Sequence, residues 1–191
     1  MLLEKLGLSP IVVPADPGID PEALEATRPK EDPIAYVQRV ALIKRDQGLA
    51  SLKKMLGENA GAAEDLLIAA DTTVALEGRI LGKPENASHA RQMLWSLSGK
   101  THQVHTAVSI IRLDERQRES IVVSSEVTFA PLSEEWISYY IDTQEPLDKA
   151  GAYGIQGLAE AVIPKISGSF SGIVGLPLYE TQQLLNAFNF R

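Results

Sequence analysis

The chain predicts an α/β fold that leans towards α+β, with a mixed sheet and flanking helices, and three observations carry that expectation. Leu66-Leu67-Ile68-Ala69-Ala70 is an apolar run with no polar alternation, which suits a strand buried on both faces. Two later stretches, 102–112 and 121–130, alternate apolar and polar residues as an antiparallel pair with one buried face does. Around them stand three helix starts with capping chemistry, at Asp32-Pro33, Asn86 and Ser133. Helices and strands interleave with no internal repeat, low-complexity stretch or linker, so the expectation is one unit over residues 1–191.

Taken in order, Met1 to Leu6 reads as the tail of an amphipathic helix ended by Gly7, and Ile11-Val12-Val13 as a strand. Residues 14–32 form an acidic, proline-bearing loop carrying Asp16, Asp20, Glu22, Glu25, Glu31 and Asp32. A solvated loop is the plain reading; the other is that one of these acids reaches a cleft. Asp32 then supplies an N-cap oxygen and Pro33 stands where no amide donor is needed. The helix buries Val37, Val40 and Ala41, and Lys44 continues that stripe. A lysine there either snorkels past the edge of the core, the commoner outcome, or points into a pocket. Gly48 and Gly57 are expected to break up the chain beyond Lys44.

The run at Leu66 stops on Asp71, Thr72 and Thr73. Ligands of open α/β sheets sit at the carboxyl ends of strands, so an acid at that point is placed for chemistry, although a lone aspartate after a strand often just opens a turn. A short hairpin then returns the chain to Gly82-Lys83-Pro84, which brings a carboxylate and an ammonium near each other, a pairing suited to a metal-bound polyphosphate. Asn86 caps a helix that turns Ala87, Ala90, Met93, Leu94 and Leu97 inward and ends at Gly99. After the strand pair, Ser133 caps a helix burying Trp136, Ile137, Tyr140 and Ile141, and a last helix from Pro177 turns Leu178, Leu185 and Phe188 to one side.

An apolar content of 45% with 23% charged residues is that of an ordinary globular protein. A net charge of −7 disfavours nonspecific nucleic-acid binding, which relies on clustered Lys and Arg. The absence of cysteine excludes disulfides, thiolate metal sites and cysteine nucleophiles together. No run approaches the ~18 apolar residues of a membrane span, and the first residues lack a signal-peptide core, so the expectation is a cytoplasmic protein with no membrane partner.

Two apparent motifs fail. Ser98-Gly99-Lys100-Thr101 resembles the end of a phosphate-binding loop, but Leu94 stands where its first glycine belongs. His102 and His105 are three apart on a strand and face opposite sides, so they make no zinc pair. The stretch Asp148-Lys149-Ala150-Gly151-Ala152-Tyr153-Gly154-Ile155-Gln156-Gly157 holds better, because glycine at every third position excludes regular structure and allows close backbone approach. It also carries an acid, an amine, a phenol and an amide. The glycine-rich stretches 168–172 and 175–178 read as a structural loop into the last helix.

The ordered set A-A-D-T-T-V, G-K-P, L-S-G-K-T-H-Q-V, D-K-A-G-A-Y-G-I-Q-G and G-L-P-L resembles the Maf-like nucleotide pyrophosphatases, the septum formation inhibitor Maf family, over essentially the whole chain. The resemblance implies a fold related to the inosine triphosphate pyrophosphatases, with two lobes around a cleft. It implies hydrolysis of a nucleoside triphosphate to the monophosphate and diphosphate with a divalent cation, Mg²⁺ or Mn²⁺. By the match, Asp71 resembles the catalytic proton acceptor, and Lys44 and Lys83 the phosphate-contacting lysines. Thr72 and Gln156 resemble the base-selecting residues of the branch acting on dTTP and UTP. Asp148, Lys149 and Tyr153 are expected in the same pocket, Tyr153 and Gln156 at its base end. The family's loop acid falls loosely on Asp20 or Glu22, and Glu22 is assigned, with Asp71, as a metal ligand. A homodimer is a family-level expectation.

One departure stands at the start of the chain. The family opens on a strand and a Ser-x-Ser-Pro-Arg-Arg phosphate loop, and Met1 to Gly7 match the helix after that loop. The expectation is therefore a true start upstream of Met1, and weak stability and activity for the chain as written. Two rival functions stand beside the pyrophosphatase: a non-catalytic regulator of cell division that keeps the fold, and a pyrophosphatase for modified purine triphosphates.

Overall fold

The computed structural model describes residues 2–16, 18, 20–57 and 64–190, with the side chains of Pro21 and Glu22 outside that description. A short 3-10 turn, Leu3–Leu6, comes first and ends at Gly7 in the left-handed region (φ 76°). No strand follows. Ile11 and Val12 are 92% and 72% exposed, so the apolar triplet at 11–13 has no sheet to join. A one-turn helix α1 (Pro21–Glu25) interrupts the acidic loop. Helix α2 (Pro33–Leu56) starts as its sequence indicates, with the Asp32 carboxylate accepting from the amides of Ile34 and Ala35. It runs straight through Gly48, contrary to expectation, and ends at Gly57. A Cβ on Gly48 would lie 3.3 Å from Leu67 Cδ2, so this glycine allows the helix to lie close on the sheet.

The five strands are β1 (Leu66–Leu76), β2 (Arg79–Leu81), β3 (Thr101–Arg112), β4 (Arg118–Thr128) and β5 (Lys165–Ser167), in the spatial order β2-β1-β3-β4-β5. All their pairings are antiparallel, where a mixed sheet is expected from the sequence. The β1–β2 hairpin turns on Glu77 and Gly78, both at positive φ, which matches the twist of its strands. Helices α3 (Ala87–Leu97), α4 (Glu134–Asp142), α5 (Phe170–Val174) and α6 (Leu178–Ala187) complete the fold, with 3-10 turns at Glu145–Asp148, Ala150–Ala152 and Leu158–Val162. Asn86 and Ser133 cap α3 and α4 as expected, although Ala87 is exposed. Among the described residues no helix is long and apolar enough to cross a membrane.

The centre of the sheet is β3, not the run at Leu66. Every residue from Val104 to Ile111 is buried, so this strand is covered on both faces and its partner β4 on fewer positions. One face packs on α2, where Tyr36, Val37, Val40 and Ala41 meet Ala107, and Leu49 meets Leu67 and Ile111. The opposite face is divided. At one end Leu66, Ile68, Val108 and Ile110 pack against Leu185 and Phe188 of α6 and its C-terminal end. At the other, Val74, Val104 and Val127 pack against α3, α4 and the turns after α4. Thr72 and Thr106 stand side by side at the seam between these two clusters.

Candidate active site

The pairing of β1 decides where the cleft lies. Strand β2 covers its outer edge only from Val74 to Leu76, so among the described residues the stretch 66–73 has a free edge. Side chains from both faces of β1 therefore border one cleft of about 490 Å³: Asp71 from the α2 side, Thr72 and Val74 from the other. Asp71 lies in the middle of an antiparallel strand, opposite Ala107, rather than at a strand's carboxyl end. The rule for parallel sheets does not place it; the end of the β2 pairing does.

Lys44 points into this cleft and does not snorkel. Its Nζ lies 2.6 Å from Asp71 Oδ1 and 2.6 Å from Glu25 Oε1. Burial raises the Asp71 carboxyl above its ordinary value, outweighing the pull of Lys44 and Lys83 towards the ionised form. Burial works against the Lys44 ammonium too, but hydrogen bonds to Asp71 and Glu25 overcome it and hold its pKa above the usual lysine value. The amine is doubly satisfied while the acid stays reluctant to ionise.

Glu25, one of the loop acids of which one was expected to reach a cleft, lines it, and the side chain of Glu22, assigned as a metal ligand, lies outside the described residues. The signal for Glu25 was present: Asp20-Pro21 repeats the Asp-Pro helix start of α2 and opens α1, which ends on Glu25. Two side chains of α2 pin the backbone at the end of α1. Tyr36 Oη donates to the Glu25 carbonyl at 2.9 Å, and Arg39 reaches the carbonyls of Leu24 and Ala26 and the carboxylate of Glu31. That guanidinium holds the Glu31 carboxyl down at about 2.

Two carboxylates thus converge on one ammonium. Among the described residues no three His, Asp or Glu gather as a ready metal cage. A hard divalent ion that takes one or two carboxylates and fills its other positions with phosphate oxygens and water fits this donor set.

The far wall comes from the stretch 145–157. Gly151 is its joint to the sheet: its amide donates to the Gly82 carbonyl at 3.0 Å, so the two motifs around Lys83 and Lys149 meet. Lys83 stands exposed at the cleft with no ion pair among the described residues, and Lys149 Nζ pairs with Asp148 Oδ1 at 2.7 Å. Tyr153 lines the cleft with its ring only, because its hydroxyl is 2.8 Å from His102 Nε2 inside the core. His102 and His105 do face opposite sides, with His105 bonded to Ser124. Gln156 is exposed at the rim. Its loop is braced by Glu145, itself part of the cleft lining, which accepts from Tyr140 Oη at 2.9 Å and from the Leu158 amide at 3.3 Å, and by Tyr140 Oη, which accepts from the Gly154 amide. A Cβ on Gly157 would fall 1.9 Å from Glu145 Oε1, so only glycine fits there.

The lining of the cleft is of two kinds: charged groups, Glu25, Lys44, Asp71, Lys83, Glu145, Asp148 and Lys149, and apolar ones, Val74, Val104, Tyr153, Ile155 and Ile173, with Thr72 and Gln156 as neutral polar groups. A charged tail joined to a flat, largely apolar ring with a polar edge suits such a mixed lining.

Comparison with known proteins points the same way. The sequence model of the family described as Maf-like protein matches residues 1–188. A "dTTP/UTP pyrophosphatase" of Albidiferax ferrireducens is 45% identical over 190 residues, covering 100% of this chain and 92% of its own length. Proteins with the same description from a Polaromonas species and from Escherichia coli are 47% and 46% identical. The Polaromonas alignment covers 97% of this chain and 89% of the relative, the Escherichia coli one 86% and 78%.

Proposed function

Because the chain belongs to the Maf-like proteins, we infer that it is a nucleoside triphosphate pyrophosphatase hydrolysing dTTP and UTP to the monophosphate and diphosphate. The observation that carries this reading is the mixed lining of one cleft, where the Lys44–Asp71–Glu25 cluster and Lys83 share the space with apolar walls and the neutral polar groups Thr72 and Gln156. Asp71 is the general base. Its raised pKa makes it a stronger proton acceptor than an exposed carboxylate, and it takes the proton of a water attacking the α-phosphorus. The new bond joins that water oxygen to the α-phosphorus, and the bond from the α-phosphorus to the bridging oxygen of the diphosphate breaks. Lys44 and Lys83 hold the phosphates and offset the charge that builds on the leaving diphosphate. Glu25 and Asp71 would hold the divalent cation, which when bound supplies further charge neutralisation and activates water. Asp148 and Lys149 border the same cleft, and Thr72 and Gln156 meet the base edge. A cytoplasmic setting goes with this reading.

The experiment is a diphosphate-release assay with Mg²⁺ or Mn²⁺ across dTTP, UTP, CTP, GTP, ATP and modified purine triphosphates. Turnover highest on dTTP and UTP is expected. Turnover highest on a purine would move the specificity, and none on any triphosphate would leave a non-catalytic protein.

A further inference from the structure

A hydrogen-bond chain behind the cleft sets the polarity of the Thr72 hydroxyl. Thr72 and Thr106 are cross-strand neighbours on β1 and β3, with their Oγ1 atoms 2.9 Å apart. Thr106 Oγ1 in turn lies 2.7 Å from the Gly172 carbonyl, in α5. A carbonyl only accepts, and a hydroxyl has a single proton. The Thr106 proton is therefore committed to Gly172, and the proton between the two threonines must come from Thr72. Thr106 is 1% exposed, so no bulk water offers another arrangement. Thr72, which lines the cleft, is left with lone pairs alone for any further partner.

We propose that Thr106, acting with the Gly172 carbonyl, is a positioning residue that locks Thr72 as a hydrogen-bond acceptor and so selects a ring N–H over an unprotonated ring nitrogen. The proposal rests on the pyrimidine specificity inferred for this cleft. Uracil and thymine present an N3–H between two carbonyls, whereas cytosine presents a bare N3 beside an amino group. Gln156 cannot tell these edges apart alone, because its amide offers both a donor and an acceptor and serves either edge by flipping. A free hydroxyl would be equally tolerant, since it rotates. The lock removes that tolerance: an acceptor-only oxygen satisfies N3–H and sets a lone pair against the lone pair of cytosine N3.

The test is kcat/KM for UTP and CTP, with melting curves, for the wild type, Thr106→Val and Thr106→Ser. Thr106→Val frees the Thr72 proton to turn into the cleft, so the UTP:CTP ratio should fall about tenfold, the scale of one hydrogen bond gained or lost. Thr106→Ser keeps the relay and should restore the ratio. A folded Thr106→Val with the wild-type ratio, or a Ser variant as unselective as Val, overturns the role of Thr106 while leaving the pyrimidine specificity in place. A wild type that does not prefer UTP to CTP sinks both. Where valine prevents folding, Thr106→Ala removes the same hydroxyl. Uridine triphosphate methylated at N3 probes the wild type directly, and hydrolysis as fast as that of UTP would show that the N–H is not read.

Discussion

Replacing Gly151 with alanine is the sharpest test of how the far wall is joined to the sheet. Gly151 sits at φ 70° and ψ 9°, a left-handed conformation that costs a residue with a Cβ roughly 1–2 kcal/mol. An added Cβ would also lie 2.9, 3.0 and 3.1 Å from Cγ1, Cβ and Cγ2 of Val74. All three atoms belong to one stiff, β-branched side chain on a strand, so no simple rotation clears them, and such overpacking costs about 1–3 kcal/mol. Together Gly151→Ala should destabilise by roughly 2–5 kcal/mol, a large share of the ~5–15 kcal/mol typical of a folded domain. Urea unfolding at neutral pH, with m compared between wild type and variant, measures it. Val74→Ala in the Gly151→Ala background should recover the share due to Cγ1 and Cγ2, leaving the backbone cost and the 3.0 Å contact with Cβ. A loss below ~1 kcal/mol, or a double mutant whose effects merely add, would refute the reasoning. Activity should fall as well, because Gly151 carries the link to Gly82 beside Lys83.

Asp71→Asn should lower kcat by roughly 10²-fold or more, the usual scale for a positioned base, and retained turnover in a diphosphate-release assay would remove Asp71 from that role. Its folded pKa is raised from 3.8, so the stability it contributes is complete below that value and is lost as pH rises through the folded one. The Asn variant should therefore lose less stability than wild type as pH rises above 3.8. Gln156→Glu puts a second acceptor at the base edge and should cut kcat/KM for UTP and dTTP more than for other nucleotides; an equal drop for all would make the residue structural. Burial drops the His102 pKa from 6.5 to about 4, so its contribution is present above pH 6.5 and lost as pH falls towards 4. At roughly 1.4 kcal/mol per pH unit that loss reaches about 3 kcal/mol. His102→Gln, which keeps a partner for Tyr153, should flatten the acid limb of the stability curve, and an unchanged limb would place the titration elsewhere.

Much of the fold was legible wherever a local signal and the final environment agree. Asp32-Pro33, Asn86 and Ser133 start helices because capping is settled within one turn, and the stripe of Val37, Val40 and Ala41 is buried as its spacing indicates. Strand order was not legible. The apolar run at Leu66 has the composition of a central strand, but β3 holds that place, since burial on both faces depends on which strands flank it, a long-range fact. Gly48 reads as a breaker because its close approach to Leu67 lies in another element. In the site, Asp71, Thr72, Lys83 and Gln156 reach one cleft as their motifs indicate, and Lys44 takes the less common of its two outcomes. Glu25 was not singled out among the loop acids and Thr106 was not named at all, for different reasons. Glu25 ends a short helix inside a loop whose acidity suggests solvation, and Thr106 is an ordinary strand threonine until its partner across the sheet is known.

The two walls of the cleft are not built alike. Asp71 and Thr72 ride on a strand bonded along its length to β3, whereas Gln156 rides on a run of 3-10 turns held by a handful of bonds, among them Gly151 to Gly82 and Tyr153 to His102. Segments with few buried backbone bonds open locally at a small fraction of the global unfolding free energy. Amides of residues 145–158 should then exchange with solvent long before those of β3, and mild denaturant should abolish turnover while the sheet still gives its full signal. That stretch also sends Ala152, Tyr153 and Ile155 into the main core, so its opening takes those contacts with it, and the two groups proposed to read the base, Thr72 on the strand and Gln156 on the turns, stand on walls of different local stability.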